Sequence, residues 1–97
     1  MMKKDVFMKE AERFTEYFND GIYEETAKRS VECKAGRLEI YAQLYKGKLS
    51  ANIFTHPNET AFESGVLEKD VKTMDECVKL LKEKEAELKN MKSWWEE

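Results

Sequence analysis

The 97 residues are too few to build two independently stable cores, so residues 1–97 are expected to form a single domain. Hydrophobic residues make up 41% of the chain, enough for one core, while 38% charged residues and a mean hydropathy of -0.76 imply a densely ionic surface. No apolar run approaches the roughly 18 residues that a membrane span needs, and the first ten residues place charges where a signal peptide needs an apolar stretch. No membrane partner is expected, and the expected location is the cytoplasm.

Phe7, Ala11, Phe14 and Phe18 recur at spacings of four, three and four, which puts them on one stripe of a helix widened by Val6 and Tyr17. This helix is predicted from about Lys4 to about Asn19. Gly21 is read as the left-handed residue ending it, and Ile22 as folding back onto the last turn.

Across residues 26–55 the apolar period changes to two. With Lys46-Gly47 as a two-residue turn, Tyr45 pairs with Lys48, Leu44 with Leu49, Ala42 with Ala51, Ile40 with Ile53 and Leu38 with Thr55. That register gathers the aliphatic residues on one face, and a slip of one residue would scatter them. An earlier turn at Ala35-Gly36 would set Val31 opposite Ile40 and Glu32 opposite Glu39, a like-charge pair. Lys28 and Arg29 weaken this first strand, which is predicted to begin only near Ser30.

His56-Pro57-Asn58-Glu59 reads as a loop, because proline cannot donate to a ladder. In residues 60–67, Ala61-Phe62 and Val66-Leu67 leave a fourth strand open, interrupted at Ser64-Gly65. Thr73-Met74-Asp75-Glu76 has the capping-box pattern. A helix starting near Asp70 or Thr73 would carry Met74, Cys77, Val78, Leu81, Leu88, Met91 and Trp95 on one stripe to the end of the chain. Glu83, Lys84, Glu85, Glu87 and Lys89 read as its solvated, mixed-sign face. The fold class is therefore α+β: an N-terminal amphipathic helix, a three- or four-stranded antiparallel meander and a long C-terminal helix, with both helices on one sheet face.

The opposite face would then display Glu32, Glu39, Tyr41, Gln43, Tyr45, Lys48, Asn52, Phe54 and His56. Tyr41, Tyr45 and Phe54 are large aromatics where a merely solvated sheet would use Thr, Lys or Glu, and the register puts Tyr41 diagonal to Phe54. High β propensity alone would also account for them, as would cover from residues 60–67. The pair Trp94-Trp95 poses a second question, since only one of the two can lie on the buried stripe. Trp94 would pack on the first helix, on a second copy or on a partner.

Catalytic chemistry finds little support. His56 is the sole histidine and sits at a strand end, away from the core side to which Cys33 is directed, so no Cys-His pair is expected. Cys33 and Cys77 lack metal or redox spacing and read as small buried hydrophobes in a reducing compartment. No metal-ligand pattern and no glycine-rich phosphate loop occurs, so neither a metal nor another cofactor is expected. Glu32 and Glu39 as a carboxylate dyad give way to pairing with Lys34 or Arg37.

The expected function is non-catalytic: a small protein-binding or regulatory module of inhibitor, immunity or adaptor type, such as phages and mobile elements encode. That last comparison is one of scale and charge density only. The candidate contact residues are Tyr41, Tyr45, Phe54, Asn52, His56 and Trp94, and an unidentified protein or a second copy is the expected partner. An alternative is single-stranded nucleic-acid binding, with bases stacked on the aromatics and phosphates followed by Lys28, Arg29, Lys34, Arg37, Lys46 and Lys48. Charge speaks both ways: residues 21–56 hold six basic against four acidic side chains, and residues 57–97 hold seven against eleven.

Overall fold

A computed structural model describes residues 1–33, 36–57 and 64–89. In chain order these form α1 (Lys4–Glu12), β1 (Gly21–Ile22), β2 (Thr26–Cys33), β3 (Gly36–Tyr45), β4 (Lys48–Pro57), β5 (Ser64–Val71) and α2 (Met74–Lys89). The strands make one antiparallel sheet in the order β1-β2-β3-β4-β5. The architecture is α+β, with five strands where three or four were expected.

The second hairpin follows the sequence closely. Lys46 and Gly47 both take positive φ, 50° and 79°, the twist that a two-residue turn between right-twisted strands needs. All five expected pairs, from Tyr45 with Lys48 to Leu38 with Thr55, are present. The positive φ of Gly47 is what favours glycine there; a Cβ would also meet the Met1 side chain, which is exposed and free to turn aside. The Met2 amide donates to the Gly47 carbonyl at 2.9 Å and ties the N-terminal segment to the hairpin.

The first hairpin differs. Cys33 lies opposite Gly36, so every pair shifts by two from the expected register. Val31 meets Leu38 instead of Ile40, and Glu32 meets Arg37 instead of Glu39. An even shift keeps each side chain on its face and removes the like-charge pair, placing Arg37 opposite Glu32 while its guanidinium pairs with Glu39. β2 also begins at Thr26 and not near Ser30, because Lys28 and Arg29, read as strand-weakening, both have acidic partners.

The other corrections concern boundaries. α1 ends at Glu12, and the chain continues to Phe18 in tight turns with Phe14 N–H donating to Ala11 and Tyr17 N–H to Phe14. These turns still bury Phe18 beside Phe7 and Ala11. Gly21 and Ile22 are not a helix stop but a short edge strand paired with Lys28 and Ala27, too brief to show a period. β5 accommodates Ser64-Gly65 through an irregularity opposite Ile53/Phe54 that leaves Val66 as the extra residue. It continues through Asp70 to Val71, so α2 starts at Met74. Ala61, Phe62, Met91 and Trp95 lie outside the described residues.

The cap of α2 forms as its sequence implies, with Glu76 N–H donating to Thr73 Oγ1 at 3.1 Å. The Glu76 carboxylate reaches back one residue further than a standard capping box, accepting from Lys72 N–H at 3.3 Å. Met74, Cys77, Val78, Leu81 and Leu88 of α2 join Phe7 and Ala11 of α1 in one cluster with Ala27, Leu38, Ile40, Ala42, Leu49, Ala51 and Ile53. Since those sheet residues share one face, both helices cover that face. At roughly 25 cal/mol per Å² of apolar area, this one-sided burial is the main stabilising term.

One position of α2 contradicts its expected role. Glu85 is 7% exposed, on the buried side of the helix. Arg29, which alternation directs to the same face as Ala27 and Val31, donates to it from Nε at 2.8 Å and Nη2 at 3.2 Å. Tyr17 Oη adds a third bond to Glu85 at 2.9 Å, and the Arg29 guanidinium lies 4.8 Å from the Tyr17 ring centroid. Burial, then the Glu85 charge, pushes the Tyr17 phenol far above its ordinary value. The turn after α1, β2 and α2 are thus fastened at one buried ion pair.

Candidate recognition site

The face opposite the helices is built by alternation. β2 contributes Lys28 and Ser30, β3 contributes Arg37, Glu39, Tyr41, Gln43 and Tyr45, and β4 contributes Ser50, Asn52 and Phe54. Register adds Asp70 beside Ser50 and Glu68 beside Asn52 from β5.

At its centre Tyr41 and Phe54 meet edge to face, with ring centroids 5.8 Å apart and planes at 71°. Both rings are half-buried. Asn52, directly across from Tyr41, is 5% exposed and donates through Nδ2 to Gln43 Oε1 and Ser50 Oγ, each at 3.0 Å. Tyr45 stands apart, four residues along β3 or about 13 Å at strand rise. It is 68% exposed, with Lys46 Nζ 5.3 Å from its centroid.

On the β2 side of the rings lies a set of polar groups that the sequence reading did not assemble. Glu39 is 7% exposed on this face and is surrounded by donors. Arg37 Nε approaches at 2.9 Å, Lys28 Nζ at 3.4 Å and Ser30 Oγ at 2.8 Å. Asp20, just before β1, extends the set to Lys28 at 3.3 Å and Ser30 at 3.2 Å. The hydrogen bond to Asp20 is the largest influence raising the Lys28 ammonium above its ordinary value, with the Glu39 charge acting in the same direction. The same Nζ lies 5.7 Å from the Tyr41 centroid. Alternation of Arg37 and Glu39 was a visible signal for part of this set; the contributions of Lys28 and Asp20 depended on the corrected register.

The structure therefore groups Tyr41, Phe54 and Asn52 and places Tyr45 at the hairpin end. His56 is in β4 opposite Arg37, but its side chain, like the whole of Trp94, lies outside the described residues. Arg29 is removed from this face altogether. Scans of family models, of curated proteins and of solved structures return no match. Function must be argued from the site itself.

Chemically the arrangement offers a flat aromatic centre, an amide pair and a frame of mutually paired charges. Among the described residues no group of three or more His, Cys, Asp or Glu side chains is placed to hold a metal ion. Cys77 is on the buried side of α2, its Sγ 3.8 Å from the Ser50 carbonyl, and burial pushes its thiol up to about 12. Among the described residues no helix is long and apolar enough to cross a membrane.

Proposed function

We propose that this chain is a non-catalytic protein-binding module of regulatory, inhibitor-like or adaptor-like type, working through the sheet face centred on Tyr41 and Phe54. One observation carries the reading: these rings remain partly open on the face that neither helix covers, although the described residues already form a continuous core on the other. Protein-binding patches concentrate aromatic anchors at their centre and keep unpaired charges out of it. The pairing of Arg37 and Lys28 with Glu39, and of Lys28 with Asp20, lowers the cost of desolvating this frame. Asn52 and Gln43 supply directional polar groups beside the rings.

Nucleic-acid binding fits these residues less well. Of the cations required to follow phosphates, Arg29 is turned to the covered face, and Lys28 and Arg37 already face carboxylates on their own sheet. Glu39, Glu68 and Asp70 add negative charge where a strand of phosphates would lie.

The test is capture with the immobilised chain. The wild type should retain a defined protein that a Tyr41→Ala/Phe54→Ala variant with an unchanged circular dichroism spectrum does not. Equal capture by both proteins would remove the face from consideration. Retention of the wild type on a polyanion resin with steep salt dependence would transfer the rings to nucleic-acid stacking.

A further inference from the structure

The two edges of the sheet are finished differently. On the β2 side, β1 pairs with Ala27 and Lys28, and the Asn19 side chain accepts from Ser30 N–H at 3.3 Å, so that edge is closed as far as Ser30. On the other side β5 is the last strand, and among the described residues no strand pairs with its outer side. An edge of eight residues offers a row of N–H and C=O groups, over roughly 26 Å, to any strand laid beside it.

The side chains along this edge decide which strand fits. Register puts Glu68 beside Asn52 and Asp70 beside Ser50, on the face of Tyr41 and Phe54, and puts Lys69 beside Ala51 on the helix-covered side. Glu68, Lys69 and Asp70 are exposed, and none of them has an ion pair among the described residues. Lys28, Arg37 and Glu39, by contrast, are matched within the sheet. One side of β5 thus carries two unmatched carboxylates and the other an unmatched ammonium.

A second copy of β5 does not answer this pattern. Antiparallel neighbours set like faces side by side, and the open side of β5 holds no cation for Glu68 or Asp70, nor its covered side an acid for Lys69. Unlike charges directly opposed stabilise an antiparallel pair and like charges destabilise it. The fitting strand therefore has the reverse alternation: a basic side chain opposite Asp70, an acid opposite Lys69 and a basic side chain opposite Glu68.

We propose that β5 takes up an extended segment of a partner protein by strand addition, main-chain hydrogen bonds supplying affinity and this basic-acidic-basic alternation selecting the partner. The inference rests on the protein-binding reading and names the chemistry of the partner. Glu68 stands in one cross-strand row with Asn52, Tyr41 and Lys28, so the added strand widens the ring-bearing face by about 5 Å.

Amide-resolved NMR on the full chain tests this with two short peptides, one reading lysine-glutamate-lysine between valine and threonine flanks, the other glutamate-lysine-glutamate in the same flanks. In the free chain, alternate amides of residues 67–71 should exchange quickly with deuterium while those bonded to β4 stay protected. The first peptide should shift the β5 amides and protect the fast ones, and the second should bind at least about fivefold more weakly. Glu68→Lys/Asp70→Lys, its fold confirmed by circular dichroism, should reverse that preference. Tyr41→Ala/Phe54→Ala should titrate like the wild type. Loss of partner capture by that variant with an intact titration therefore concerns the rings alone, and capture that survives without any β5 response removes the edge alone. No β5 shifts at millimolar peptide, equal response to both peptides, a preference that the double substitution does not reverse, or uniform protection of β5 in the free chain overturns the proposal.

Discussion

One glutamate that is 7% exposed lies against each face of the sheet, Glu85 from α2 and Glu39 from β3, and the two are held for different ends. Glu85 on the covered face receives Arg29 and Tyr17, residues 56 and 68 positions away in sequence, so its bonds join α2 to the sheet and to the turn after α1. Glu39 on the open face receives Ser30 and Arg37 from its own hairpin, so its bonds only set the surface of a sheet that is already formed. Burial of a charge by itself thus says little about its role. What matters is whether its partners lie outside the sheet hairpin against which it packs, as Tyr17 does for Glu85.

Substitutions and pH can break this comparison, and the largest effect should come from alkaline titration of the covered face. The thiol of Cys77 is held up to about 12 in the folded chain against an ordinary 9.0. Above pH 9 the unfolded thiol loses its proton while the folded one keeps it, so the folded state binds more protons and stability must fall as pH rises toward 12. Tyr17 is shifted in the same direction and steepens the loss above its ordinary value of 10.0. Urea unfolding across this window checks the slope, and Cys77→Ala should remove the part that begins near pH 9.

Next in size is Arg29→Met, which strands the Glu85 carboxylate and should cost about 3 kcal/mol by urea unfolding. Arg29→Met/Glu85→Leu should recover most of that loss, since an apolar pair of similar volume has no charge to desolvate. The counterpart on the open face, Glu39→Gln, leaves Arg37 and Lys28 beside solvent and should cost about 1 kcal/mol. Smallest is Asp75→Asn, which removes the exposed ion pair with Arg13 and should change stability by no more than about 0.5 kcal/mol.

How legible the molecule was in its sequence follows from the same contrast. The β3–β4 hairpin could be written down pair by pair, because one strong turn and two strict alternations agreed. Its aromatic diagonal, Tyr41 with Phe54, came with it. The β2–β3 hairpin was placed on the right faces and in the wrong register, since turn preference was weak and an even shift leaves the alternation of faces unchanged. Arg29 and Glu85 were misread because charge was taken to mean exposure; their pairing depends on two elements meeting in space, which no local pattern encodes. β1 was too short to see, and β5 was obscured by the irregularity that leaves Val66 unpaired. Among the expected contact residues, alternation placed Tyr41, Tyr45, Asn52 and Phe54, whereas the ion-paired frame around Glu39 required the true register.

The most direct test of the account is the stability of Tyr41→Ala/Phe54→Ala beside that of Ile40→Ala, a neighbour in β3 that points the other way. Rings kept for recognition are surplus to folding, so the double variant should lose no more than the roughly 0.5–1.5 kcal/mol of an aromatic pair plus a modest burial term. Ile40→Ala should lose about 2–5 kcal/mol. Should removal of the two rings cost as much as removal of Ile40, they belong to the core of the fold and the open face is not a docking surface.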